Sequence, residues 1–347
     1  MIKETEEQII GFEALFESMT KCMKGVLWKD SVAHFYLNWI EELLKLEKQL
    51  KTGTYRERPK KTFAITEPKK REIVSIAFRD RVYQRSLNDH IIYPVMSKSF
   101  IPDNFACQKG KGTDMARDRT KEFLRRFYRK YGTDGYVLQC DIEGYYPNMP
   151  HALAKEVFRV KLDDETYKRA ETILDSFPGE YGFNPGSQII QIAGISALDK
   201  LDHYIKERLR VKYYVRYMDD FFLIEAEKEK LENCLNAIEK MIQGMGMRLN
   251  RKKTKIRKIT DGFLFLGFIF RLTSTGKVIM TLDPDKVKHE RKKLFRMVQK
   301  AKRGEMSKER VDEHYRSWKV HAGKGDSYNM LKHMDEYYNN LWKGDLI

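Results

Sequence analysis

Two adjacent aspartates lie inside an apolar run in the segment Val215-Arg216-Tyr217-Met218-Asp219-Asp220-Phe221-Phe222-Leu223-Ile224. Apolar residues on both sides of a polar tip predict a β-hairpin with the two acids at its turn. Neighbouring carboxylates repel each other, and a divalent cation relieves that repulsion, so the tip is a candidate site for Mg²⁺, which prefers oxygen ligands. The alternative is an ordinary surface turn, because aspartate favours turns for local reasons. The motif alone leaves both interpretations open.

A third carboxylate follows another short apolar run, in the segment Tyr136-Val137-Leu138-Gln139-Cys140-Asp141-Ile142-Glu143-Gly144-Tyr145-Tyr146. The run predicts a strand that ends in Asp141 before Gly144 breaks it, and an acid at a strand end is well placed to face a cleft. A two-metal site for phosphoryl chemistry needs carboxylates from more than one element. Glu143 is the rival ligand, but the strand is expected to end before it, so Asp141 is the better candidate.

These segments resemble the metal-binding blocks of reverse transcriptases, the RNA-templated DNA polymerases of the right-hand polymerase group. The resemblance implies that Asp141, Asp219 and Asp220 bind two Mg²⁺ (or Mn²⁺) ions. It implies further that the backbone carbonyl of Ile142 assists them. In this chemistry one ion activates the primer 3′-hydroxyl and the other holds the incoming triphosphate.

The same resemblance implies residues that touch the substrate. Tyr217 is the first residue of the matched motif Tyr217-Met218-Asp219-Asp220. Tyr146 matches the steric-gate aromatic that excludes a ribose 2′-hydroxyl, and the simpler interpretation of Tyr146 is an aromatic side chain packed beside a turn. The block Pro68-Lys69-Lys70-Arg71-Glu72-Ile73 resembles the fingers segment whose basic residues contact the triphosphate. Lys70 and Arg71 are the expected contacts, because positive charge there stabilises the developing phosphate charge. A solvated basic turn is the alternative.

A glycine- and lysine-rich loop follows, Asn104-Phe105-Ala106-Cys107-Gln108-Lys109-Gly110-Lys111-Gly112-Thr113-Asp114. Glycines let a backbone approach nucleic acid closely, and Lys109 and Lys111 are positioned to meet phosphates. The loop resembles the next fingers motif, which in relatives often ends in histidine. Asp114 stands at that position, so no role is transferred to it.

Three later blocks complete the resemblance. The segment Pro185-Gly186-Ser187-Gln188-Ile189-Ile190-Gln191 opens a predicted helix to about residue 210, and Gln191 matches the glutamine that positions template and incoming nucleotide. Ile190 stands where serine is usual. Lys253 matches a lysine near the pyrophosphate leaving group and is a candidate general acid, with a basic turn as an equal alternative. Leu266-Gly267 matches the primer-grip hairpin, where glycine lets the primer backbone come close.

Composition narrows the class of protein further. The 347 residues are 41% apolar, which predicts a folded globular chain with more than one core. A net charge of +16 and dispersed basic runs favour a long polyanionic partner over a single membrane-binding patch. The sequence has no apolar run long enough to cross a bilayer, begins with polar residues and lacks closely paired cysteines. No membrane partner and a cytoplasmic location are therefore expected.

The predicted fold class is α+β: a right-hand polymerase with fingers and palm, built from antiparallel sheet plus helices, and a small helical thumb. The predicted domains are a helical N-terminal extension over 1–51, fingers over 52–136, palm with catalytic site and primer grip over 137–270, and helical thumb over 271–347. Apolar residues at helical spacing predict the helices of the extension. Trp318 and Tyr328 are expected to pack against the thumb helices, with stacking on nucleic-acid bases as the alternative.

The leading hypothesis is a stand-alone bacterial reverse transcriptase that makes cDNA from an associated non-coding RNA, using a primer and dNTPs, in anti-phage defence. A diversity-generating retroelement enzyme is one alternative. Ile190 stands where those enzymes usually have serine, and this difference favours defence. The others are a template-independent nucleotidyl transferase and a catalytically silent nucleic-acid-binding protein. The intact set of three aspartates argues against the silent protein. An accessory protein is a further candidate partner.

Overall fold

The computed structural model describes residues 7–65 and 71–343, and of Arg71 it describes the backbone. The α-helices are α1 (Phe12–Met23), α2 (Asp30–Leu37), α3 (Trp39–Lys51), α4 (Phe78–Leu87), α5 (Tyr93–Met96), α6 (Thr113–Tyr131), α7 (His151–Arg159), α8 (Asp164–Asp175), α9 (Gln188–Ala197), α10 (Asp199–His203), α11 (Lys228–Gly244), α12 (Pro284–Lys302), α13 (Lys308–Ala322) and α14 (Tyr328–Lys343). Residues Asn88–Ile92 and Tyr204–Arg208 form π-helices, and Ser97–Ser99 form a short 3-10 helix. The strands are β1 (Lys61–Ile65), β2 (Arg71–Ser75), β3 (Tyr136–Asp141), β4 (Tyr213–Tyr217), β5 (Asp220–Glu225), β6 (Lys255–Lys258), β7 (Phe263–Phe265), β8 (Phe268–Leu272) and β9 (Val278–Leu282). None of the helices in this part of the chain is long and apolar enough to span a lipid bilayer.

The strands form three sheets. β1 and β2 pair as an antiparallel hairpin, and β7, β8 and β9 form an antiparallel sheet in that order. The third sheet has the order β4-β5-β3-β6. β3 therefore lies between β5 and β6 although it precedes both in the sequence, so this sheet depends on long-range pairing. Separate sheets combined with many helices confirm the predicted α+β class.

Contacts group the chain into two compact units. The first comprises Met1–Gly112, Asp141–Arg210 and Asn236–Asn250, and the second comprises Thr113–Cys140, Val211–Leu235 and Arg251–Ile347. The four domains drawn from the sequence follow the chain from end to end, and they stay a prediction.

The N-terminal helices of the first unit are built on the apolar stripes of the sequence, which confirms their prediction. The buried members of these stripes are Ile9, Leu15, Met19, Leu43, Leu46 and Leu50. Phe16 differs, because its side chain is 39% exposed and its ring centroid lies 5.0 Å from that of Trp39. Part of the first stripe thus remains at the surface.

The last three helices of the second unit share one apolar cluster. Its buried members are Leu294, Val298, Val311, Tyr315, Met334, Tyr338 and Leu341. Trp318 packs against this cluster, as expected. Tyr328 is 82% exposed, so the expectation that it packs is wrong. It is the first residue of α14, where a side chain has fewer neighbours than within the helix.

Candidate active site

The two adjacent aspartates lie at the tip of the hairpin β4–β5, as the sequence predicts. The last pair of the register is Tyr217↔Asp220, which leaves Met218 and Asp219 as a two-residue turn. Met218 has φ = +59°, in the left-handed region that costs a non-glycine residue about 1–3 kcal/mol. Such strain persists where the surroundings enforce it. Here the fully buried Arg216 donates from Nη1 to the Met218 carbonyl oxygen, 3.0 Å away.

The strands behind this tip are buried on both faces. Residues 213–216 of β4 and 221–224 of β5 are all buried, whereas Asp219 and Asp220 are half-buried. A closely packed strand pair is a stiff support, because protein interiors pack as densely as organic crystals. The hairpin therefore holds its two carboxylates in place while leaving them partly accessible, which suits groups that bind an ion.

Asp141 is the last residue of β3, the strand next to β5, and is 9% exposed. Beyond it the chain pairs with residues 248–250, a pairing that sequence analysis did not predict. The Glu143 N–H donates to the Arg248 carbonyl oxygen at 2.9 Å, and the Asn250 N–H donates to the Asp141 carbonyl oxygen at 2.7 Å. Gly144, with φ = +52°, then ends the extended run as predicted.

This pairing orients the backbone of Ile142, the predicted carbonyl ligand. Ile142 forms an antiparallel bridge with Leu249, and the hydrogen bonds of the bridge are made by the flanking residues. In such a pair the central residues direct their own N–H and C=O groups away from each other. The Ile142 carbonyl therefore points away from the segment 248–250.

The donor chemistry of these residues fits a hard divalent cation. Asp141, Asp219 and Asp220 offer carboxylate oxygens, and Ile142 offers a carbonyl oxygen directed away from its paired segment. Oxygen ligands of this kind are those that Mg²⁺ takes in proteins. Within residues 7–65 and 71–343, no group of three or more His, Cys, Asp or Glu side chains has the arrangement of a metal site.

Tyr146 and Gln191, the predicted gate and template-positioning residues, are associated with the same helix. Gln191 lies on α9, and its Nε2 donates to the Pro185 carbonyl oxygen 2.8 Å away. One turn later, a Cβ built on Gly194 would lie 2.7 Å from the Tyr146 hydroxyl, so this ring rests directly on the glycine. The Tyr145 hydroxyl donates to the Gly194 carbonyl oxygen. Sequence analysis missed Gly194, whose only signal was a glycine inside an apolar helix.

The predicted triphosphate contacts fall on the hairpin β1–β2. Lys70 lies outside the described residues, and Arg71 begins β2, where its backbone pairs with Ile65. The loop that leads into α9 contacts this strand, because Asn184 donates from Nδ2 to the Glu72 carbonyl oxygen at 3.1 Å. The strand that carries Arg71 is therefore joined to the loop before α9.

The two loop lysines differ in what their ammonium groups do. Lys111 Nζ donates to the carbonyl oxygens of Pro102 and Asn104, each 2.9 Å away, and so ties its own loop together. Lys109 is exposed, with its ammonium 5.3 Å from the centre of the Tyr93 ring. Lys109 is thus better placed for a phosphate, and both phosphate contacts stay predictions.

The predicted primer-grip residues form a second two-residue turn, between β7 and β8. The last pair before it is Phe265↔Phe268, and Leu266 and Gly267 have φ values of +49° and +85°. Two positive φ angles are typical of the type I′ turn, which is preferred in two-residue hairpin loops. The Lys286 ammonium occupies the space that a Cβ on Gly267 would need. Sequence analysis missed this cation, which lies beyond the motif on α12.

Two other predicted residues lie beside these elements. Tyr217 is the half-buried last residue of β4, directly before the turn of the metal hairpin. Lys253 is exposed in the turn between the segment 248–250 and β6. Its role as general acid and its role as a plain turn residue both stay open.

Asp114, which departs from the family pattern, belongs to an ion-pair network in the second unit. Arg117 donates to its carboxylate, and the Lys324 ammonium lies 2.9 Å from it. Arg117 and Lys324 lower the pKa of Asp114. Arg117 is 3% exposed and lies 5.1 Å from the centre of the Phe268 ring. The aspartate thus links the start of α6 to the loop after α13.

Comparison with known protein families and sequences supports the resemblance. Residues 58–270 match the family model described as reverse transcriptase (RNA-dependent DNA polymerase), which covers more than half of the chain and includes all the site residues discussed above except Lys286 and Lys324. The protein YkfC of Escherichia coli K12 is 24% identical over 299 residues, a region that spans 72% of this chain and 77% of YkfC.

Two solved telomerase structures align with part of the chain. A telomerase from Candida albicans, solved with a fragment of telomeric RNA, aligns with 83% of this chain at a TM-score of 0.50 and 11% identity. An apo telomerase from Candida tropicalis aligns with 70% at a TM-score of 0.48 and 14% identity. The chain spans 55% and 53% of those two proteins. The Candida albicans match confirms the polymerase fold class.

Proposed function

Because the chain belongs to the reverse transcriptase family of RNA-dependent DNA polymerases, we propose that it extends a primer along an RNA template with dNTPs. One observation carries the proposal. The matched region folds Asp219 and Asp220 into the tip of a rigid hairpin, and the neighbouring strand β3 ends in Asp141. Carboxylates held on packed strands suit phosphoryl transfer, because positioning and charge stabilisation supply most of the catalysis in that reaction.

Asp141, Asp219 and Asp220 are the residues proposed to hold two divalent cations, Mg²⁺ or Mn²⁺, with help from the Ile142 carbonyl. When bound, such ions activate the attacking hydroxyl and neutralise charge on the phosphates. The chain's contribution is to hold the donors before the ions arrive. The buried β4–β5 strands and the Arg216 hydrogen bond to the turn support this function.

The remaining roles concern the nucleotide. Lys70 and Arg71 are proposed to pair with the triphosphate, Tyr146 to exclude a 2′-hydroxyl, and Gln191 and Tyr217 to position the base pair. The proposed role of Tyr146 is supported by its packing against Gly194. A ring that is held in place by a neighbouring helix can act as a steric barrier.

Other residues are proposed to act on the nucleic acid and the leaving group. Leu266 and Gly267 would contact the primer, Lys109 and Lys111 would meet phosphates, and Lys253 would protonate pyrophosphate. A chain with a net charge of +16 suits such a polyanionic substrate, because each neutralised phosphate releases counterions.

In the cell, we propose that the enzyme acts in the cytoplasm and copies an associated non-coding RNA during anti-phage defence. The departure from the retroelement pattern at Ile190 supports defence over diversification. Cells carrying the wild-type gene with its flanking DNA should resist phage, and the Asp219→Asn variant should not. Equal plaque numbers on both strains would contradict the defence role.

The test of the activity is incorporation of labelled dNTPs on a primed RNA template, beside lanes without template, without divalent metal, and with rNTPs. The proposal predicts a product only when template, metal and dNTPs are all present. A product without template would identify a terminal transferase. Template binding without a product would identify a silent polymerase fold.

A further inference from the structure

A basic cavity lies in the first unit, away from the aspartate hairpin in sequence. Its volume is about 190 Å³, and it is lined by the end of α1, one face of α4 and the residues around the start of α9. Lys21, Arg81 and Arg85 supply positive charge, and Gln84 and Gln188 supply amide groups. None of its described lining residues is acidic.

Arg81 distinguishes this cavity from an ordinary surface ion-pair cluster. Arg85 is paired with Asp89 at 2.7 Å, and Lys21 is paired with Glu17 at 2.6 Å and with Asp89 at 3.4 Å. Arg81 has no carboxylate within 4.0 Å among the described residues, and its buried Nε has no hydrogen-bond partner there. The N-terminus of the ten-residue helix α9 adds partial positive charge. The cavity therefore favours an anion.

The two glutamines indicate that the ligand also donates hydrogen bonds. Gln84 is 2% exposed, and its Nε2 donates to Glu57, but its buried Oε1 has no partner among the described residues. The buried Oε1 of Gln188 also lacks a partner in the described part of the chain. Buried polar atoms are normally paired, and a phosphate oxygen cannot pair with an amide oxygen because both accept. A ligand with both phosphate oxygens and hydroxyl donors would satisfy the cavity.

We propose that this cavity binds one ribose–phosphate unit of an RNA strand. The phosphate would contact Arg81 and Lys21, and the 2′-hydroxyl would donate to the amide oxygen of Gln84 or Gln188. At about 190 Å³ the cavity is smaller than the roughly 300–1,000 Å³ of pockets that enclose whole ligands, so it suits one unit of a strand. DNA lacks the 2′-hydroxyl, which is the group that lets a protein distinguish RNA at a given site. The inference rests on the proposed function, in which that strand is the template.

The test is equilibrium binding of labelled single-stranded RNA and DNA of the same sequence, measured by fluorescence anisotropy without nucleotides or metal. Arg81→Gln should weaken binding of both strands about tenfold, because it removes a charge-assisted phosphate contact. Gln188→Met should weaken RNA binding about fivefold and leave DNA binding unchanged, because it removes only a hydroxyl acceptor. Lys21→Gln should weaken RNA binding, whereas Lys24→Gln, directly after the end of α1 and outside the cavity, should not.

Each outcome bears on the inference. Equal losses of RNA and DNA affinity in Gln188→Met would overturn recognition of the 2′-hydroxyl. Unchanged RNA affinity in Arg81→Gln and Lys21→Gln would overturn the site, and ribose 5-phosphate binding that Arg81→Gln abolishes would then identify a free nucleotide as the ligand. Unchanged thermal unfolding of the variants confirms that they fold. Because no synthesis is needed, failure here is separate from failure of primer extension.

Discussion

The hairpins β4–β5 and β7–β8 both close in two-residue turns, but their tips present different chemical groups. Each closes in two residues, and each begins its turn with a large apolar residue at positive φ, Met218 at +59° and Leu266 at +49°. The second turn residue differs: it is Asp219 in one hairpin and Gly267 in the other. The first tip therefore presents carboxylates, and the second presents bare backbone beside the Lys286 ammonium. Both turns therefore begin with a strained residue, but only the second has a positive φ at its second residue as well. The first tip would serve the proposed metal binding, and the second would serve the proposed approach of the primer.

The largest expected effect is at the carboxylate tip. Asp219→Asn keeps the shape of the side chain but removes its charge, so the rate of dNTP incorporation should fall about 10³-fold, as expected when several kcal/mol of metal-assisted stabilisation are lost. Single-turnover primer extension measures this rate. Asp261→Asn, an exposed aspartate in the turn before β7, is the matched control and should keep the wild-type rate.

The glycine of the other tip should affect the primer instead. Gly267→Ala places a Cβ against the Lys286 ammonium at φ = +85°, so the KM for primer–template should rise about tenfold through misplacement of the primer. The free energy of unfolding should fall by about 1 kcal/mol. Gly276→Ala is matched, because it has φ = +79° and crowds the Tyr128 ring. An equal rise of KM in both variants would show that strain alone is responsible.

The cation at the second tip should have a smaller effect. Lys286→Gln should weaken primer–template binding about threefold and reduce the slope of log affinity against log salt by about 1, as expected for one lost phosphate contact. Binding titrations at several salt concentrations measure both quantities. Lys288→Gln, an exposed lysine two residues along the same helix, should change neither. Identical salt slopes for the wild type, Lys286→Gln and Lys288→Gln would show that Lys286 does not contact the primer.

The smallest effect concerns the strained turn itself. Leu266→Asn creates the Asn-Gly pair that type I′ turns prefer, so the free energy of unfolding should rise by about 0.5–1 kcal/mol. Denaturant unfolding measures this change. If Leu266 contacts the primer, the same variant should bind primer–template more weakly while being more stable. A loss of stability would show that Leu266 packing outweighs the strain.

Local patterns in the sequence predicted many elements of this structure. The aspartate hairpin, the strand that ends in Asp141 and the start of the helix of Gln191 were all predicted, because each depends on residues a few positions apart. The single helix predicted to about residue 210 is instead divided at Leu198 into α9 and α10. Contacts distant in sequence were not predicted. Examples are the pairing of residues 141–143 with 248–250, the Lys286 ammonium beside Gly267, and the ion pair of Asp114 with Lys324.

The lysines show the same limit for side chains. Lys111 is predicted to contact phosphate, and its ammonium also donates to backbone carbonyl oxygens of its own loop, which the sequence did not indicate. A lysine has three donors, and whether carbonyl groups fill them depends on how the loop folds. The cavity beside Arg81 was equally hidden, because its lining comes from three separate helices or loops.

The most direct test of the division between the two tips is to measure primer–template Kd and single-turnover rate together for Asp219→Asn and Gly267→Ala. Asp219→Asn should keep the Kd near the wild-type value and lose the rate, whereas Gly267→Ala should raise the Kd and retain most of the rate at saturating primer–template. Retention of the wild-type rate by Asp219→Asn would contradict the assignment of the β4–β5 tip as the catalytic centre.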